Sequence, residues 1–138
     1  MIRFEAIDVS LPVFLNKETK QWILKVIQNY NRKAGEVFFL FCSDEALLKV
    51  NREFLQHDYY TDIITFDSSE NKDFISGELY ISLDRVTDNA TALKIDFEIE
   101  LHRVIIHGIL HLIGFNDKTE GEQIAMRAAE QKCLSLRL

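Results

Sequence analysis

His107 and His111 stand four residues apart, Gly114 follows three residues later and Asp117 three after that, which gives the spacing H-x-x-x-H-x-x-G-x-x-D. On a helix, residues at i and i+4 lie one above the other, so two imidazoles at this spacing can close on one metal ion. Gly114 can end the helix and turn the chain back, letting the Asp117 carboxylate reach the same ion. A bare H-x-x-x-H is often a pair of satisfied core histidines; the glycine turn and the third donor favour a bound metal. Three protein ligands leave a coordination position for water, the arrangement of a catalytic zinc site. Water held there becomes ionisable near neutrality. The expected cofactor is therefore one divalent ion, Zn2+ before others.

The residue after the first histidine narrows the chemistry. In zinc peptidases of the H-E-x-x-H type a glutamate there acts as general base, whereas this chain has Gly108. The ligand spacing is similar to the extended metzincin motif, but without that base the frame points to a hydrolysis other than that of peptides. Glu100 and Arg103 continue the histidine row toward the N-terminus at helical spacing. They read foremost as an i,i+3 ion pair near the helix start, and secondarily as a carboxylate orienting His107. His102 lies off the row and is not expected to be a ligand. Asp62 reads as a turn-stabilising carboxylate before a base.

These residues need a frame. Val104, Ile105, Ile106, Ile109, Leu110, Leu112 and Ile113 make the segment from about Asp96 to Gly114 apolar nearly all round, as in a buried helix. Alternation over residues 2–8 predicts a half-buried strand, and Val37 to Cys42 a strand covered on both faces. Between them an Asn16-capped helix is expected to stop at Gly35. A Ser43-capped helix runs through Leu55. Ile63 to Phe66 and Leu79 to Ile81 read as two short strands of a hairpin with a long polar loop. A helix follows Asp84, and Thr119-Glu120-Gly121-Glu122 is a capping box opening the last one. The expected fold class is α+β: residues 1–138 form a single domain with a small mixed sheet of about four strands and about five helices, the metal site lying at the end of a buried helix. Periodicity leaves the strand order open.

Composition excludes other classes. The 138 residues are 47% hydrophobic and 28% charged with five glycines and one proline, which fits a packed domain rather than a disordered or fibrous chain. No apolar run approaches the roughly 20 residues of a membrane span. The N-terminal stretch lacks a basic region followed by an apolar one, so a soluble, cytoplasmic protein is expected. Cys42 and Cys133 lack C-x-x-C spacing and read as small buried hydrophobes. A net charge of −6 argues against wrapping bulk nucleic acid, and a nucleic-acid substrate would need a local basic patch.

The run from His107 through Asp117, HGILHLIGFND, resembles the H-G-x-L-H-L-x-G-[YF]-D-H signature of the YbeY endoribonuclease and ribosomal RNA maturation family. Thr61 to Phe66 (TDIITF) resembles that family's T-D-V-L-S-F strand, and Gly77 to Ser82 (GELYIS) its G-D-I-x-I-S strand. The blocks match in order and spacing over roughly residues 35–134. The resemblance implies a metal-dependent endoribonuclease, usually with zinc, acting in maturation and quality control of ribosomal RNA. It also implies ribosomal RNA and the small ribosomal subunit or its proteins as partners.

By the same resemblance His107 and His111 carry over as ligands. The family's third histidine is Asp117 here, and the aspartate before it is Asn116. A carboxylate can bind zinc, but its negative charge makes bound water less acidic than three imidazoles would and leaves the choice of metal more open. Where the family has Tyr-Arg, with the arginine implicated in activity, this chain has Phe54-Leu55. Arg52 or His57 could supply the missing positive charge; a solvated Arg52 and a surface His57 are the favoured readings. Tyr59 and Tyr60 could stack bases or simply pack. The leading expectation is phosphodiester cleavage in RNA through an ion on His107, His111 and Asp117. Its rivals are a non-catalytic ribosome-assembly factor stabilised by the metal and a metallohydrolase of small substrates.

Overall fold

The computed structural model describes residues 1–137. Elements follow in the order β1 (Ile2–Ala6), α1 (Lys17–Asn29), β2 (Lys33–Cys42), α2 (Asp44–Leu55), β3 (Ile63–Asp67), β4 (Phe74–Ser82), α3 (Leu83–Leu93), α4 (Phe97–Ile113) and α5 (Glu120–Ser135). The four strands and five helices are those expected. The sheet order is β1-β2-β4-β3, with β1, β2 and β4 parallel and β3 antiparallel to β4. β3 and β4 thus form the expected hairpin, Ile63 opposite Ile81 and Asp67 opposite Gly77.

Because side chains alternate along a strand, each face of the sheet has its own partners. Ile2, Val37, Phe39, Phe41, Ile75, Leu79 and Ile81 form one face and are buried against Trp22, Ile23, Val26 and Ile27 of α1 and the apolar body of α4. On the other face Cys42 and Ile64 pack with Leu47 of α2, joined by Phe66 and Tyr80. Phe38 and Leu40 on that face are only half-buried, so β2 is less covered than its unbroken apolar run predicts. Cys42 and Cys133 are buried free thiols, as expected. Among the described residues no helix is long and apolar enough to cross a membrane.

Caps explain most helix limits. Asn16 and Thr19 form a capping box on α1, Ser43 and Ser82 cap α2 and α3, and Thr119 with Glu122 forms the expected box on α5. The expected stop at Gly35 is wrong. α1 ends at Asn29, and Asn31 makes the turn with φ 60°, a conformation asparagine tolerates. Gly35 lies instead in β2 beside a register shift between Ala34 and Val37, and a Cβ there would sit 2.2 Å from Ser76 Oγ.

α4 is the central helix. Leu101, Val104, Ile105, Ile106, Ile109 and Leu110 are all fully buried. A Cβ on Gly108 would lie 2.4 Å from Leu79 and 2.7 Å from Ile63, so the glycine lets α4 settle onto β3 and β4. At its C-terminus Gly114 adopts φ 127°, which L side chains rarely reach, and reverses the chain toward α5.

Candidate metal centre

The last two turns of α4 hold His107 and His111 half-buried, and the short segment between Gly114 and the Thr119 cap brings Asp117 back over them. His107 Nε2 and His111 Nε2 are 3.1 Å apart, and Asp117 Oδ2 is 3.3 Å from the first and 3.2 Å from the second. Bonds of about 2.0–2.1 Å to a tetrahedral zinc imply donor separations of about 3.3 Å. The donor set and its spacing therefore fit one such ion, and the three residues named from the sequence come together.

The orientation of His107 comes from a residue the sequence reading missed. Glu130 of α5 is buried, and its Oε2 accepts a 2.6 Å hydrogen bond from His107 Nδ1. Burial pushes the Glu130 carboxyl upward. The hydrogen bond from His107 and the charge of Arg103 outweigh that and hold it below the usual glutamate range. A carboxylate can only accept at this distance, so Nδ1 is the donor, and in the neutral imidazole this leaves the Nε2 lone pair on the side of His111 and Asp117. The available signal was the stripe Met126, Ala129, Glu130 and Cys133, which places one glutamate on the buried face of α5.

Glu100 does not orient His107. It is fully buried and takes both its bonds from Arg103, Nε to Oε1 and Nη2 to Oε2, each 2.7 Å. This is the expected i,i+3 pair, although inside the protein rather than at an exposed helix start. Arg103 also reaches Glu130 Oε1 at 3.2 Å, and these carboxylates push its pKa further up. A continuous chain thus runs from Glu100 through Arg103 and Glu130 to His107. His102 lies elsewhere, between Phe14 and Trp22 with its Nδ1 bonded to the Glu98 carbonyl, and is no ligand.

A cleft of about 610 Å³ opens at the three donors, bounded by β3 and by the loop leading into it. Leu55, His57, Tyr59, Asp62 and Lys118 all line it. Asp62 accepts from Asn89 Nδ2 through its side chain and from the Ser82 amide through its carbonyl, so its carboxylate links the loop before β3 to α3 rather than closing a local turn. Burial raises its pKa against the opposing charges of Arg103 and His107. Tyr59 stacks on His57 with ring centroids 5.1 Å apart and stays largely exposed. Tyr60 faces away: its hydroxyl donates to Glu45, and Arg85 lies over its ring. Arg52 is ion-paired with Asp58 at 2.5 Å and is not among the residues lining the cleft.

Known proteins are similar to this chain over nearly its whole length. A family model described as Endoribonuclease YbeY matches residues 3–136. An endoribonuclease YbeY of Phocaeicola vulgatus is 54% identical over 136 residues, covering 99% of this chain and 98% of its own. One from Porphyromonas gingivalis strain W83 is 55% identical over 133 residues, covering 96% and 87%. The fold is similar to the solution structure of a Thermotoga maritima protein, with a TM-score of 0.73 at 26% identity over 99% of this chain and 88% of that one. With one ion-sized donor triangle at the C-terminal end of α4 and relatives matching nearly end to end, the chain belongs to the endoribonuclease YbeY family.

Proposed function

We propose that the protein is a single-metal endoribonuclease that cuts ribosomal RNA during its maturation and quality control. His107, His111 and Asp117 would hold the ion, with Zn2+ favoured by two imidazoles and one carboxylate at tetrahedral spacing. The observation that carries the reading is the donor triangle, 3.1 to 3.3 Å on its edges, opening onto a cleft of about 610 Å³. A bound divalent ion supplies Lewis-acid activation of a phosphodiester and of water. Glu130 keeps the His107 proton on Nδ1, and the Gly114 turn delivers the third donor. The exposed face of the His57–Tyr59 stack is available to an unpaired base. Arg52, held by Asp58, takes no part in this reading. A net charge of −6 makes free RNA a weak ligand, so we assign presentation of the substrate to the small ribosomal subunit or its proteins, in the cytoplasm.

Elemental analysis beside an RNA cleavage assay tests this. Wild type should carry about one zinc or similar ion per chain and cut RNA, and His111→Ala and Asp117→Ala should lose both. Cleavage that survives removal of the metal would overturn the mechanism. A metal-replete chain that binds ribosomal particles but leaves RNA intact would favour a non-catalytic assembly factor.

A further inference from the structure

The donor triangle borders two clefts. His107 and Asp117 also line a second one of about 290 Å³ on the α5 side, together with Arg103, Gln123, Arg127 and Glu130. Gln123 and Arg127 are four residues apart on α5 and so share one helix face. Arg127 is exposed and makes no ion pair among the described residues, whereas Arg103 is shared between Glu100 and Glu130.

Charge decides what this cleft can take. Around the donors the three carboxylates of Glu100, Asp117 and Glu130 face the single cation Arg103, so a dication brings the group only to neutrality. The larger cleft adds Asp62 and Asp67 against Lys118. The smaller one adds Arg127 and no further carboxylate. In a chain of net charge −6, the α5 side of the centre is therefore the side that attracts an anion. A guanidinium with an amide beside it suits the oxygens of a phosphodiester, which accept parallel N–H bonds.

We propose that this second cleft binds a backbone phosphate flanking the one to be cut, gripped by Arg127 with Gln123 beside it. The strand then crosses the donor triangle from the cleft beneath Tyr59 into the cleft beneath Arg127. The proposal rests on the reading of the protein as an RNA-cleaving enzyme, and Arg127 acts in it as a positioning residue.

The test compares wild type, Arg127→Gln, Arg127→Lys and a same-charge control on α1, Lys25→Gln, all metal-loaded. A nuclease-resistant 2′-O-methyl oligoribonucleotide, read by fluorescence anisotropy over a salt series, reports binding. Cleavable RNA reports KM and kcat. Arg127→Gln should weaken binding roughly tenfold and lower the slope of log Kd against log salt by about 0.7, the value for one single-strand phosphate contact. Arg127→Lys should restore the slope but not the full affinity, and Arg127→Gln should raise KM with kcat within about twofold. Equal Kd and slope for Arg127→Gln and wild type, or an equal loss in Lys25→Gln, would overturn the subsite whether or not RNA is cut. Loss of binding in Arg127→Gln alone, with RNA left intact by wild type, would support the subsite and overturn the enzymatic reading.

Discussion

His107 is held at both ring nitrogens. Its Nε2 faces the other two donors while Nδ1 is bonded at 2.6 Å to a carboxylate that is itself buried and ion-paired. Such outer partners fix the imidazole and raise its basicity, and their loss typically costs a metal site about 10- to 100-fold in affinity. Glu130→Gln should therefore weaken metal binding by that order. The amide can still accept at Nδ1 but brings no charge, and Arg103 keeps its two bonds to Glu100. Chelator competition on the folded variant, with circular dichroism to verify the fold, measures this; unchanged affinity would show that Glu130 does not tune the centre. Asp117 is the less constrained donor, on a turn and partly exposed.

At the scale of elements, the site depends on how closely α4 lies on the sheet. Gly108, between the two histidines, is a packing residue: its Cα faces Leu79 and Ile63, so any side chain at 108 would be driven into the core. Gly77 plays the matching part on β4, where a Cβ would come within 2.5 Å of the Phe66 carbonyl and 3.1 Å of Leu112. Gly108→Ala should destabilise the fold by about 1–3 kcal/mol through overpacking, offset only slightly by the better helix propensity of alanine. Denaturant midpoints check this, and a stabilised variant would mean that Leu79 and Ile63 repack freely. The same contact gives a structural reason for glycine where zinc peptidases keep their glutamate. A carboxylate at 108 would enter the core beside β4 rather than the cleft.

Stability of the whole molecule should respond to acid through His102. Burial between Phe14 and Trp22 lowers its pKa below the ordinary histidine value of about 6.5, against the opposing effect of its hydrogen bond to the Glu98 carbonyl. The unfolded chain then takes up this proton at a higher pH than the native one, so stability falls as pH drops below about 6.5 and levels off under the native pKa. His102→Phe keeps the aromatic packing and removes the proton, and should flatten that part of the profile. Thermal midpoints of both chains across this window measure the effect, and parallel curves would exclude His102 as its source.

The sequence by itself determined the local features: the i,i+4 histidines on a helix apolar all round, the Gly114 turn, the Asn16 and Thr119 caps and the period of each strand. These depend on neighbours within a few residues, which is the range of helical spacing and capping bonds. Gly35 shows the limit of that range, since a glycine after a helix reads as its stop until Asn31 is seen to turn and Gly35 to meet Ser76 across two strands. Tertiary structure alone decided the order β1-β2-β4-β3, the burial of Glu100 with Arg103, and the meeting of Glu130 with His107 across 23 residues of chain. It also separated Tyr59, at the cleft, from Tyr60, turned toward Glu45. The physical reason is that periodicity reports which face of an element is buried but not which partner buries it. Glu100 finds its counter-charge within its own helix, but Glu130 on the buried face of α5 meets Arg103 and His107 only when α5 packs on α4.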